Sequence, residues 1–227
     1  MEGPSTESRA KLFKELQVEV TDYMNNFDGS HDMTHIQRVL KNAHEVTMGE
    51  QKRHPEVAYD FALIFFGALL HDVGDQKYSK PGQDITKMVQ ELIISKVENS
   101  PENIIFAEKV QKICTGVSYS SEIKNLQAVQ DAIKEIPELA IVQDADRLDS
   151  IGAAGIGRTF TFSGAKNRNM QDSRDLFSHK LVKLEGLMKT ETGREIAHER
   201  TQRLLAFQTW WDEEIAVLKD WDYASLF

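Results

Sequence analysis

Apolar positions recur at helical spacing along nearly the whole chain. In residues 8–25, Leu12, Leu16, Val20 and Tyr23 fall four, four and three apart, the stripe of an amphipathic helix. Residues 31–52 place Ile36, Val39, Leu40, Ala43 and Val46 on one face. Pro55 suits the first turn of a helix running to about Asp72. Its apolar run "FALIFFGALL" (61–70) is hydrophobic on most sides, which marks that helix as central. Asp84 is placed to cap a helix through about Val97. Ser100, Pro101 and Glu102 read as the N-cap and first turn of another, through about Thr115. Residues 116–136 read as loop with a short helix. Pro137 opens a helix carrying "ELAIVQDADRLDSIGAAGIGRTF", residues 160–173 read as a polar loop, and 174–189 and 191–219 as two long amphipathic helices. Convincing alternating segments are few. The pattern predicts an all-α fold, a single helical domain over residues 1–227 with its core at about 8–215.

Composition narrows the class. The chain has 227 residues, 41% hydrophobic and 28% charged, ordinary for a soluble globular protein. One cysteine, Cys114, allows neither an internal disulfide nor a cysteine-based zinc finger and suits a reducing compartment. The N-terminus lacks an apolar signal segment, and the longest apolar run is far short of the roughly 20 residues that cross a bilayer. These features predict a cytosolic or nuclear protein without a membrane partner. A net charge of −9 argues against nucleic acid as a partner but not against a small anion, because local charge can oppose the global sign.

Histidine and aspartate concentrate in "SHDMTHIQRV" (30–39), "LLHDVGDQK" (69–77), "VQDADRLDS" (142–150) and "LFSHKLVKL" (176–184). His71 and Asp72 are adjacent at the end of an apolar run, where an unpaired carboxylate is costly. Asp146 and Asp149 are neighbours on one helix face and repel unless a cation or Arg147 compensates. His31 and His35 are four apart, a spacing that suits two metal ligands. Two His and two Asp make a nitrogen–oxygen donor set. Without a thiolate, that set favours Mn, Fe, Co, Ni or Mg over structural zinc, and such an ion activates water and polarises a phosphoryl group.

A lone His, an adjacent His-Asp and a distant Asp, all on helices, resemble the HD-domain metal-dependent phosphohydrolase superfamily. "HDMTHIQRV", "LLHDVGDQKY", "VQDADRLDSIGAAGIGRTFTFSG" and "KLVKLEGLMKTETGREIAHER" together resemble the branch that includes bacterial HD-domain nucleotide pyrophosphohydrolases. The similarity spans about residues 8–215. The resemblance implies a divalent metal ion held by His35, His71, Asp72 and Asp146, with Asp146 preferred to Asp144 because it directly precedes Arg147. His35 takes precedence over His31 because it stands in the His-x-x-Arg-Val position, which leaves His31 as a support or substrate contact. Asp75 lies where relatives often have a Glu acting on the attacking water. Lys77, Arg147, Lys180, Lys183 and Arg38 are the implied substrate contacts. The implied substrate is a small-molecule nucleotide, a nucleoside triphosphate cut to monophosphate and pyrophosphate. Other HD-domain phosphatases act on nucleoside 5′-monophosphates, and a non-catalytic nucleotide sensor is a further class. The sequence leaves base, metal identity and oligomeric state open.

Overall fold

The structure, a computed structural model, describes residues 6–74 and 86–219. Among these residues every regular element is a helix. α1 (Thr6–Met24), α2 (Met33–Arg53), α3 (Phe61–Leu70), α4 (Met88–Ile94) and α5 (Pro101–Val117) come first. α6 (Tyr119–Lys124), α7 (Leu126–Glu135), α8 (Glu138–Asp149), α9 (Gly152–Ala165) and α10 (Met170–His179) follow. A 3₁₀ segment (Leu181–Leu187) and α11 (Glu191–Lys219) complete the chain.

The centre is a layer of α2, α3, α5 and α8, in which α3 and α8 each pack on the other three helices. α2 buries Ile36, Val39, Ala43 and Val46, the predicted stripe. α3 is buried on nearly every side from Leu63 to Leu70, as expected of a central helix. It approaches α5 so closely that a β-carbon on Gly67 would sit 2.7 Å from Ile113 Cγ2. α8 is likewise enclosed, with Leu139, Ile141, Val142, Ala145 and Leu148 in the core. The buried Glu138 side chain accepts a hydrogen bond from the Asp60 backbone N–H (2.8 Å). This joins the start of α8 to the start of α3. The two helices are similar in length and both end at the same side of the core.

Local signals account for the boundaries that the sequence predicts well. Asp32 caps α2 by accepting from His35 N–H (3.1 Å), and Ser100 caps α5 ahead of Pro101. Other boundaries differ. Pro55 lies in a turn, and α3 begins later, where Asp60 accepts from the N–H groups of Ala62 and Leu63. The long helix expected after Pro137 is two helices. α8 ends at Asp149, and Gly152, with φ +71°, turns the chain into α9, a left-handed conformation that glycine takes without strain. Residues 160–165 are the end of α9 rather than loop. The helix expected over 174–189 divides into α10 and the 3₁₀ segment. Residues 116–136 hold two short helices, α6 and α7. α4 ends at Ile94, and Asp84, its expected cap, lies outside the described residues.

No helix among the described residues is long and apolar enough to cross a membrane.

Candidate metal centre

Three central helices deliver side chains to one point. α3 leads directly into His71 and Asp72, α8 carries Asp146 in its last turn, and α2 carries His35 in its first. His35, His71 and Asp72 are buried, and their nearest donor atoms all lie within 4.8 Å of one another. His35 Nε2 is 3.3 Å from His71 Nε2 and 3.3 Å from Asp72 Oδ2. His71 Nε2 is 3.6 Å from Asp72 Oδ2. Asp146 Oδ1 closes the group at 3.7 Å from His35 Nε2 and 3.8 Å from His71 Nε2.

Hydrogen bonds at the far side of each ring fix which atoms face inward. His71 Nδ1 donates to the Ala68 carbonyl (2.9 Å), and His35 Nδ1 donates to Asp149 Oδ2 (2.8 Å). A carbonyl and a carboxylate only accept, so both Nδ1 atoms carry hydrogen and both neutral rings present an Nε2 lone pair. The point therefore faces two imidazole lone pairs and two carboxylate oxygens. Asp72 Oδ2 is buried and makes no hydrogen bond. Burial acts to raise the Asp72 pKa, but the closeness of His71 Nε2 (3.6 Å) and His35 Nε2 (3.3 Å) outweighs it and holds the carboxyl well below the usual range. Burial also acts to lower the His35 pKa, and its bond to Asp149 and the nearby Asp72 carboxylate reverse that and raise it. The two His Nε2 atoms lie 3.3–3.8 Å from each other and from both carboxylates, and acceptors so placed repel unless a positive charge sits among them. Donors about 2.1 Å from a common ion are separated by roughly 3–3.6 Å, so the spacing suits a divalent cation. The buried Cys114 thiol turns to the Gly67 carbonyl (3.8 Å), and the grouped donors are nitrogen and oxygen alone.

Against this geometry, the HD domain family model matches residues 31–151. The chain belongs to the HD domain family. It is 31% identical over 202 residues to the YpgQ protein of Bacillus subtilis strain 168, spanning 87% of this chain and 90% of that one. The crystal structure of B. subtilis YpgQ in complex with ADP superposes with a TM-score of 0.68 at 29% identity, covering 89% of this chain and 97% of that one. An HD-superfamily hydrolase from Bacillus thuringiensis superposes with a TM-score of 0.63 at 27% identity, covering 92% and 99%. At this coarse level the protein is an HD-superfamily hydrolase, a metal-dependent phosphohydrolase.

The HD cluster forms part of the wall of a cavity of about 790 Å³, the size of a small-molecule site. Other parts of the wall are Gln111, Tyr119 and Phe162. His31 lines it, with its ring edge-on to His35 (5.8 Å) and Phe162 (6.0 Å). Lys180 lines it with its ammonium 5.1 Å from the Tyr119 ring centre. Arg147 also lines it, but its guanidinium is engaged in a buried pair with Glu122 and a bond to the Leu187 carbonyl (2.9 Å). Lys183 is exposed on the 3₁₀ segment, away from the cavity. Arg38 does not line the cavity either; it grips Asp149 behind His35. Asp75 and Lys77 lie outside the described residues.

Asp144 is fully buried and turned the other way. It accepts from the backbone N–H groups of Lys189 and Thr190 (both 2.8 Å) and from the Thr190 hydroxyl (2.7 Å), tying α8 to the start of α11. The sequence reading assigns no role to Asp149, Arg158 or Glu122. For Asp149 the only local signal is its place three residues after Asp146 and two after Arg147.

Proposed function

We propose that the protein hydrolyses a nucleoside triphosphate, ribo or deoxy, to the monophosphate and pyrophosphate, using one divalent ion held by His35, His71, Asp72 and Asp146. The observation that carries this reading is the buried trio His35, His71 and Asp72, with the partly exposed Asp146 beside both histidines, at a cavity large enough for a nucleotide. ADP bound to the similar YpgQ protein supports a nucleotide as the occupant.

A divalent ion there supplies Lewis acidity toward a phosphoryl oxygen and a water molecule. The chain supplies the rest. His71 and His35 are locked in the tautomer that offers Nε2, by Ala68 and Asp149 respectively. The buried Asp72 and the partly exposed Asp146 would offset the ion's charge. Asp75, three residues after Asp72, is the proposed acceptor of the water's proton, and Lys77 a proposed phosphate contact. Lys180 and His31, both on the cavity wall, are placed to offset charge developing on the transferring oxygens, the kind of preorganised charge that dominates such catalysis. Water adds to the α-phosphorus, the bond from that phosphorus to the oxygen bridging to the β-phosphate breaks, and pyrophosphate leaves.

A panel of nucleoside mono-, di- and triphosphates, each with Mn, Ni, Co, Fe and Mg, tests this reading when phosphate and pyrophosphate are assayed separately. Pyrophosphate released in equal amount to monophosphate is expected. Free phosphate from a monophosphate would assign a phosphatase instead, and tight nucleotide binding without turnover under every metal would assign a sensor.

A further inference from the structure

Asp149 is 1% exposed yet accepts four hydrogen bonds from three cationic or ionisable side chains. Oδ2 receives His35 Nδ1 at 2.8 Å, Arg38 Nη2 at 3.0 Å and Arg158 Nη1 at 3.0 Å, and Oδ1 receives Arg38 Nε at 2.7 Å. Arg158 continues to the Ser30 carbonyl (2.8 Å) and lines the cavity. Two guanidinium groups keep the carboxylate charged and occupy the lone pairs that it does not give to His35. Asp149 is thus committed on the side of the ring away from the four-acceptor point. His71 is held differently, by a backbone carbonyl of its own helix. The two imidazoles have unequal supports: one is fixed by local helix geometry, the other by a carboxylate 114 residues away.

We infer that Asp149 is a positioning residue that fixes the tautomer and direction of His35, with Arg38 and Arg158 holding it in place, and thereby sets the affinity of the site for its divalent ion. The inference rests on the metal assignment of the proposed function. A carboxylate that receives the outer N–H of a ligating histidine orients the ring and raises its basicity, and losing such a partner typically weakens metal binding about 10–100-fold. Asp149→Asn keeps the shape but removes the charge, and its amide can equally well turn an NH₂ toward His35, favouring the wrong tautomer.

The test is Mn²⁺ affinity of the whole chain, read by electron paramagnetic resonance of free Mn²⁺ and by competition with a chromogenic chelator. The variants are Asp149→Asn, His35→Ala and the pair together. Asp149→Asn is expected to bind Mn²⁺ about 10–100-fold more weakly, and to add nothing further in the His35→Ala background. A purely structural role would weaken both backgrounds alike. Unchanged affinity in Asp149→Asn, or equal losses in both backgrounds, overturns the inference. Wild-type chain that binds no Mn²⁺, Co²⁺ or Ni²⁺ overturns the metal assignment itself, a distinguishable result. Should Asp149→Asn fail to fold by circular dichroism, Arg38→Gln is read in its place, since it leaves the carboxylate and His35 intact. A loss of about 3–10-fold, absent in the His35→Ala background, supports the inference, and no loss overturns it.

Discussion

His35 Nε2 and His71 Nε2 lie 3.3 Å apart in the protein interior, each with its other nitrogen bound to an acceptor. Neither ring, when neutral, has a hydrogen left to give the other. The contact is a held repulsion that a cation relieves. Binding to the folded chain alone stabilises it by about 2.7 kcal/mol at 100 times the dissociation constant. For a chain of this size that is roughly 5–10 °C in melting temperature. Thermal unfolding with Mn²⁺, then with excess chelator, should show this rise and its reversal, and His71→Ala should show neither.

Asp146 is the one member of the cluster with a partly exposed side chain, at 28%. Asp146→Ala should leave the metal-free fold within about 0.5 kcal/mol of wild type, as surface changes usually do, while removing bound metal and turnover. Purified variant that kept wild-type metal content and rate would show that Asp146 is not a ligand.

Arg147 faces two assignments, phosphate contact or structural partner, and its buried pair with Glu122 separates them. Breaking a buried pair from one side costs about 3–5 kcal/mol. Lys189 also pairs with Glu122, which places Arg147→Met near the lower end, about 3 kcal/mol by urea unfolding. Adding Glu122→Gln should recover part of that loss. A higher KM with unchanged stability would instead make Arg147 a substrate contact.

Asp32 holds the turn that carries His35. Asp32→Ala should cost about 1 kcal/mol, the usual value of an N-cap. Burial acts to raise the Asp32 pKa, but hydrogen bonds from Thr34 and His35 N–H outweigh it, and the folded value is lowered. A lowered carboxyl stabilises fully above its unfolded value of about 3.9 and loses that contribution as pH falls through the folded value. The gap in melting temperature between wild type and variant should therefore narrow as pH is taken below about 4.

Much of this arrangement is legible in the chain itself. α2, α5 and α11 announce themselves by stripes and caps, because those signals are local. The four acceptors are legible as residue types in a familiar pattern, and the structure brings them to one point. What is not legible depends on distance along the chain. Asp149 reads as part of a repelling acidic face until Arg38 and His35 from α2, and Arg158 from α9, are set around it. Arg147 reads as a phosphate contact or a partner of the neighbouring aspartates because its actual partner, Glu122, sits in a stretch with weak periodicity. The break between α8 and α9 is hidden because small residues continue the helical pattern, while Gly152 at the break takes a positive φ.

The bond from Asp60 N–H to Glu138 has one more implication. It pins α3 and α8 at the end remote from the His/Asp cluster, so each helix works as a ruler whose last marks are His71 and Asp72 just past one and Asp146 on the other. One residue inserted within either helix would rotate its terminal side chains by about 100° and advance them by about 1.5 Å. A change of length in a connector would leave that register alone, but between the pin and the site the residue count itself is under constraint.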